Sequence, residues 1–440
     1  VSTEQPDPVP SGSEAPSTAP ATPQADPLLG APADGAEVGS AQRPAPGAPS
    51  VVHQILSSSW LVSVLSMVIA LLVGGVLIAA ADRAVQQAAG YLFARPSDFF
   101  SAAWRSVSQA YIALFHGAIV DPGAPTLARA IRPLTETLTI ATPLILAGLA
   151  VALAFRASLF NIGAQGQLII GATFAGWVGF TWHLPIGVHL VAAMVAGMIG
   201  GAIWAGIPGL LRAKTGAHEV IVTIMLNYIA IYLVSYLLTT PGFQRPGSAN
   251  PISPILDDSA LYPRLLGTGF RLHAGFLVAI AATLFIWWLL NRSTLGFRFR
   301  AVGLNPHAAR TAGISVEWSF VLVMLIAGSL AGLAGTAQVL GTERVLTAGI
   351  AASFGFDAIT VALLGRSKPW GVFFAGLLFG ALRAGGVTMQ ARTGTPIDII
   401  LVVQSVIVLL IAAPPMVRAI FRLPAARPRV RRVAAKEAAA

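Results

Sequence analysis

Residues 157–211 read ASLFNIGAQGQLIIGATFAGWVGFTWHLPIGVHLVAAMVAGMIGGAIWAGIPGLL, fifty-five positions without one Asp, Glu, Lys or Arg. A helix rises 1.5 Å per residue and crosses the hydrocarbon layer in about 20 residues, so this run is too long for one crossing. His183-Leu184-Pro185 supplies a turn that divides it into two spans. Outward from there, further apolar spans fall at 59–80, 137–155, 220–238, 273–291, 318–337, 352–365, 369–388 and 397–413. The expected fold is an all-α polytopic membrane protein, a bundle of about ten transmembrane helices with short or broken helices among them. The composition agrees. Charged residues make up 10% of 440 positions and hydrophobic residues 55%, against roughly 25% charged in a soluble domain.

The charge is unevenly placed. Residues 1–50 hold six acids, one Arg and eleven Pro. No apolar periodicity runs through them, so 1–52 reads as a disordered acidic tail and not as a signal peptide. The rest of the chain is strongly basic, with a membrane domain over 53–417 and a basic tail over 418–440. The Arg residues sit between apolar runs, which is membrane-flanking charge rather than a nucleic-acid surface. The loops alone hold nine basic residues inside and eleven outside; the seven of the C-terminal tail and Arg43 bring the count to 17 against 11 and favour both termini in the cytoplasm. Between the first two spans, Phe100, Ala103, Trp104, Val107, Tyr111, Leu114 and Phe115 recur at helical spacing. They read either as an amphipathic helix at the interface or as a short helix packed on the bundle.

Catalytic grammar is missing. The sequence has no cysteine, which excludes disulfides, thiolate metal sites and cysteine nucleophiles. Gly209 to Thr215 has Ala213 where a phosphate loop needs Gly, and His218-Glu219 has Val222 where a zinc helix needs its second His. No metal site and no catalytic residue is expected.

Polar side chains inside apolar runs are the candidates for function. Asn161, Gln165 and Gln167 interrupt one span beside Gly163 and Gly166, and Asn227-Tyr228 sits in the middle of another. They read as the lining of a solute pathway or as hydrogen-bonding glue between helices. Glu343, Asp357 and Asp398 read as hydrated carboxylates near the outer ends of spans. Two inner loops are richer. One runs from Arg212 through Lys214, Thr215, Gly216 and His218 to Glu219. The other carries Arg298, Arg300, Gly303, Asn305, Pro306, Ala309, Arg310 and Gly313. Asn305-Pro306 should cap a short helix that Gly313 ends, a docking element for a cytoplasmic partner. Gly197-xxx-Gly201, Gly328-xxx-Gly332 and Gly376-xxx-Gly380 mark close helix contacts.

Asn161-Ile-Gly-Ala-Gln-Gly-Gln, Glu219-Val-Ile-Val-Thr-Ile-Met-Leu-Asn227-Tyr and Leu295-Gly-Phe-Arg-Phe-Arg-Ala-Val-Gly303-Leu-Asn305, in that order, resemble the permease subunits of bacterial ABC importers. That group handles ribose-like sugars and branched-chain amino acids, and its nucleoside permeases look nearest. The likeness covers roughly residues 130–415. It implies a protein of the bacterial inner membrane paired with a second permease, like or unlike. Cytoplasmic ATPase subunits would hold ATP and magnesium, and an external lipoprotein would deliver solute. This chain would bind no cofactor. By position, the resemblance puts Thr215 to Glu219 and Asn305 to Ile314 at ATPase coupling, with Arg298 and Gly303 leading into the second segment. It puts Asn161, Gln165, Gln167, Asn227 and Tyr228 near the pathway. Position 165 is Gln where such permeases often carry Glu. The expected solute is neutral and polar, a nucleoside first and a simple sugar such as ribose second. An ion-coupled secondary transporter is the competing class, but the central spans lack the ionisable residues it would need.

Overall fold

A computed structural model describes residues 59–422 of the chain; the acidic tail 1–52 and most of the basic tail, from 423 on, lie outside these. The apolar runs fold as helices. α1 is Ser59–Ala81, α2 Arg83–Ala89, α3 Pro96–Ala118, α4 Leu127–Arg156, α5 Ala164–Thr181, α6 Val188–Thr215 and α7 Glu219–Leu237. There follow α8 Gly275–Arg292, α9 Thr294–Leu304, α10 Pro306–Thr311, α11 Val316–Thr336, α12 Phe354–Leu364, α13 Pro369–Thr393, α14 Asp398–Ala412 and α15 Pro414–Ile420. A π-helical turn, Ala337–Glu343, extends α11.

Not every one of the ten expected spans is a long apolar helix. Among the described residues seven helices, α1, α4, α6, α7, α8, α11 and α13, are long and apolar enough to cross a membrane. The other three segments fall outside that set. α12 and α14 have only 11 and 15 residues. α5 has 18, but Gln165, Gln167, two Thr and four Gly dilute its apolar content.

Helix ends follow local chemistry. Thr126, Ser293 and Ser315 each accept a backbone N–H at the start of α4, α9 and α11, satisfying donors the first turn leaves free. α6 ends at Gly216, whose φ of +68° is left-handed, with Arg212 and Lys214 in its last turn.

α4 and α11 form the core, and α4 is buried almost continuously from Ala141 to Ala154. α11 lies against α6 without intervening side chains. A methyl on Gly201 would come 2.2 Å from the Gly328 carbonyl, and one on Gly332 2.1 Å from the Gly197 carbonyl. Small residues thus set the backbone-to-backbone approach the sequence pattern foretold. The segment 100–115 lies in a 23-residue helix, α3, packed on the bundle by one face. Ala110, Ala113 and Gly117 are buried, and Gly117 abuts Thr388 of α13; Phe100, Trp104, Ile112 and Phe115 stay exposed.

α6 and α7 lie at the periphery, with only 33% and 22% of their most apolar stretches buried. Their outer ridges differ. On α6 it reads Val188, Val191, Val195, Ile199, Ile203, Ile207 and Leu210; on α7 it reads Ile221, Met225, Tyr228, Tyr232 and Tyr236, flanked by Ile229 and Leu233.

The segment between α7 and α8 crosses the face opposite Arg156 and Thr215. It is fastened by Asp257 N–H to the Gly179 carbonyl (2.9 Å), Leu256 N–H to Arg344 (3.1 Å) and Tyr262 N–H to Leu340 (3.1 Å). His273 ends it, buried and stacked on Tyr262 at 5.4 Å. Burial, helped by nearby Arg271, lowers its pKa to about 4, so the ring is neutral.

Candidate solute pathway and coupling site

Between Arg156 and Ala164 the chain is not helical, although α5 starts inside the bundle. Free backbone groups at such depth need partners, and the polar side chains singled out from the sequence provide them. Asn227 Oδ1 accepts from Gly166 N–H (2.8 Å) while its Nδ2 donates to the Ile162 carbonyl (3.0 Å). Asn161 Oδ1 accepts from Gly163 N–H (3.0 Å), and Asn161 and Gln167 exchange reciprocal amide bonds of 3.1 and 2.9 Å. All three side chains are buried. Asn227 lies eight residues along α7 from Glu219, so the break reaches about 12 Å along that helix.

Gln165 links this break to a second one. Its Nε2 donates to the Ala352 carbonyl and its Oε1 accepts from Gly355 N–H, both at 2.8 Å. Gly355 is required here, because a methyl would lie 2.2 Å from the Gln165 Cα. α12 is about 16 Å long and ends beside Ser367, whose carbonyl accepts from Arg156 Nε at 2.8 Å. Its first turn therefore lies near half the depth of the hydrocarbon layer. Two short helices thus start inside the bundle, with their N-terminal ends joined by one neutral amide.

Asp357 departs from the sequence reading. It is not a hydrated carboxylate at a span end. It lies in the first turn of α12, paired with Arg383 of α13, and accepts from Ser353 Oγ at 3.2 Å. The Arg383 guanidinium also covers the Phe354 ring at 5.0 Å.

Tyr228 points the other way from its neighbour Asn227. Its side chain is 55% exposed, and Tyr232 and Tyr236 follow one and two turns later at 71% and 66%. The four-residue spacing of Tyr228, Tyr232 and Tyr236 is visible in the sequence, but their shared exposure is not.

The coupling candidates gather on the Arg156 face. Thr215 Oγ1 donates to the Leu211 carbonyl (2.7 Å) and accepts from Ala217 N–H (3.3 Å), tightening the turn at Gly216. Glu219, nearly buried, lies 3.4 Å from Arg212 Nε, and the Phe160 N–H points at it from 3.5 Å; His218 is exposed. In the second loop, Asn305 Oδ1 accepts from His307 and Ala308 N–H (3.0 and 3.1 Å), Pro306 opens α10, and Gly313 turns away with φ +77°. Ala309 is buried with Val302 and Val316 in a small core of its own. Arg298 is exposed, and Leu304 stands 88% exposed at the tip between α9 and α10. Gly303 meets the end of α4, where a methyl would lie 2.2 Å from the Arg156 carbonyl, and its own carbonyl accepts from Ser158 Oγ at 2.6 Å. The broken segment 157–163 therefore touches both loops, Gly303 through Ser158 and Glu219 through Phe160.

The chain matches the family model for the branched-chain amino acid transport system permease component over residues 134–412 and belongs to that family. It is similar to the guanosine ABC transporter permease protein NupP of Bacillus subtilis, 40% identical over 71% of this chain and 88% of the relative. The glucose ABC transporter permease protein TsgB13 of Haloferax volcanii is 40% identical over 63% and 75%. The nucleoside ABC transporter permease protein NupB of Lactococcus lactis is 35% identical over 64% and 79%. In each of these organisms a second permease named for the same solute is 27–29% identical to this chain. No solved structure matches. The chain is thus the permease subunit of an ABC importer for a polar solute and not itself a catalyst. Among the described residues no group of three His, Cys, Asp or Glu is placed to hold a metal. Membership of the family implies an ATPase, a second permease and a binding protein as partners.

Proposed function

We propose that this subunit carries a nucleoside across a bacterial inner membrane, with the Arg156 face and both termini in the cytoplasm. The observation that carries the mechanism is the continuous contact from α9 to the helix break: Gly303 to Ser158, segment 157–163, then Asn227 and Gln165. A push on the exposed tip at Leu304 by an ATPase would reach the starts of α5 and α12 through these bonds. Asn161, Gln165, Gln167 and Asn227 would then set the shape of the pathway beside Tyr228, while Thr215 to Glu219 and Asn305 to Gly313 receive the ATPase. Two relatives named for guanosine or nucleosides support the solute class. The pairs of unlike permeases support a heteromeric partner of the same family, and a lipoprotein would deliver the solute from outside.

Glucose is the second reading, favoured by the 40% identity to a permease named for it. The test is ATP-dependent uptake by the full complex in proteoliposomes, with labelled guanosine and glucose in competition. Guanosine uptake that excess glucose leaves unchanged supports the first reading; the reverse supports the second. Uptake that survives without ATP and collapses with an ionophore would sink both.

A further inference from the structure

The outward ridge of α7 is built for something other than lipid. Tyr228, Tyr232 and Tyr236 follow at four-residue spacing and fall within an arc of about 80° at 100° per residue. They are half of the chain's six tyrosines. All three are more than half exposed. Among the described residues, no hydrogen bond joins any of the three phenol groups to another part of the chain. The two tyrosines packed among the helices behave differently: Tyr111 donates to the Leu71 carbonyl and Tyr262 pairs with Thr336 at 3.0 Å.

A phenol O–H facing hydrocarbon finds no partner, and polar groups without partners are excluded from that layer. Tyrosines at helix ends escape by reaching the headgroups. That accounts for Tyr236, about 26 Å along α7 from Glu219, but not for Tyr228, about 14 Å along it and near mid-membrane. The neighbouring α6 provides the contrast, since its outer ridge is wholly Val, Ile and Leu. The backbone of Tyr228 is also adjacent to Asn227, which holds the break at the start of α5. A ridge of phenols mounted on that joint is placed to meet solute. Aromatic faces stack on flat rings, and phenol hydroxyls exchange hydrogen bonds with their polar edges.

We propose that Tyr228, Tyr232 and Tyr236 form a water-exposed ladder along the solute pathway, closed on its far side by the second, unlike permease, and that the ladder takes flat heterocyclic solutes by ring stacking. This rests on the nucleoside reading above and deepens it. The pairs of unlike permeases named for one solute supply the occupant of the far side.

The lack of cysteine makes the test direct. Tyr232→Cys and Tyr228→Cys, and on α6 Ile203→Cys as reference, are expressed in the full complex and treated with a charged, membrane-impermeant methanethiosulfonate. Both tyrosine positions should react about tenfold or more faster than Ile203→Cys, as water exposure requires, and guanosine should slow them. Reaction at the Ile203→Cys rate would place the ridge in lipid and overturn the proposal. Fast reaction that guanosine leaves unchanged would overturn its solute-contacting role. Should the cysteine variants fail to assemble, Tyr232→Phe and Tyr232→Leu separate ring from hydroxyl. Guanosine uptake should fall several-fold in the first and further in the second, and equal uptake in all three forms would refute the ladder. A native complex that transports neither guanosine nor glucose would refute the proposed function, while the labelling ratio would still judge the ladder.

Discussion

α6 and α7 are adjacent in sequence, joined at Gly216, and both lie at the edge of the bundle, yet they finish that edge in different chemistry. The ridge of α6 is aliphatic along its whole length, and its inner face is glycine set against α11. It is a helix with an exposed aliphatic ridge on one side and close backbone contact on the other. α7 reverses both choices: its inner face carries Thr223 and Asn227, and its outer face carries phenols. Apolarity alone therefore does not define the role of a membrane helix. What each side offers to hydrogen-bond does.

The sharpest way to break this contrast is Asn227→Leu on the buried face of α7. The substitution strands Gly166 N–H and the Ile162 carbonyl. At about 1–3 kcal/mol per buried unpaired group the loss is about 2–6 kcal/mol. Thermal unfolding in detergent should show it, and uptake should fall at least as much. Wild-type stability would remove Asn227 from the joint.

The outer fastening of α7 gives the next effect. The pKa of His273 is depressed from its ordinary value to about 4. The folded state therefore holds fewer protons than the unfolded chain between those values. Stability is complete above about pH 6.5 and falls as the pH drops toward 4, by up to about 3 kcal/mol. A melting series across that range should slope in the native protein and flatten in His273→Phe. Parallel slopes would assign the effect elsewhere.

Exchanging the two ridges tests the comparison itself. Ile203→Tyr sets a phenol where α6 has none and should cost about 1–2 kcal/mol; Tyr232→Ile should leave the melting temperature within a few degrees but cut uptake. Equal behaviour of the two would erase the distinction. A smaller effect belongs to the docking end. Asn305→Ala removes the cap of α10 at about 1 kcal/mol and should raise ATP hydrolysis per solute carried without reducing expression. An unchanged ratio would remove α10 from coupling. Smallest of all, Ile199→Ala on the exposed aliphatic ridge of α6 should shift stability by about 0.5 kcal/mol or less and leave uptake unchanged.

Much of this was legible in the sequence. The charge-free run 157–211, the turn at His183 to Pro185 and the cap at Asn305 each depend on neighbours a few residues away. The amides were legible as exceptions, but not their work. Gln165 bonds residues 187 and 190 positions distant, and no local pattern encodes that. Asp357 was misread for the same reason, since its partner Arg383 reaches it from another helix. The tyrosine spacing is plain in the sequence, whereas its exposure depends on how α7 is rotated, which the buried Asn227 decides.

The joint between α5 and α12 has an electrical consequence. Gln165 and the groups it binds carry no net charge, and Asp357 with Arg383 sums to zero. Moving one elementary charge through a membrane potential of 100 mV costs about 2.3 kcal/mol. A neutral joint that shifts a neutral solute does no such work. If the solute is the neutral nucleoside proposed above, the membrane potential does no work on this joint, and uptake should not change when the potential is collapsed.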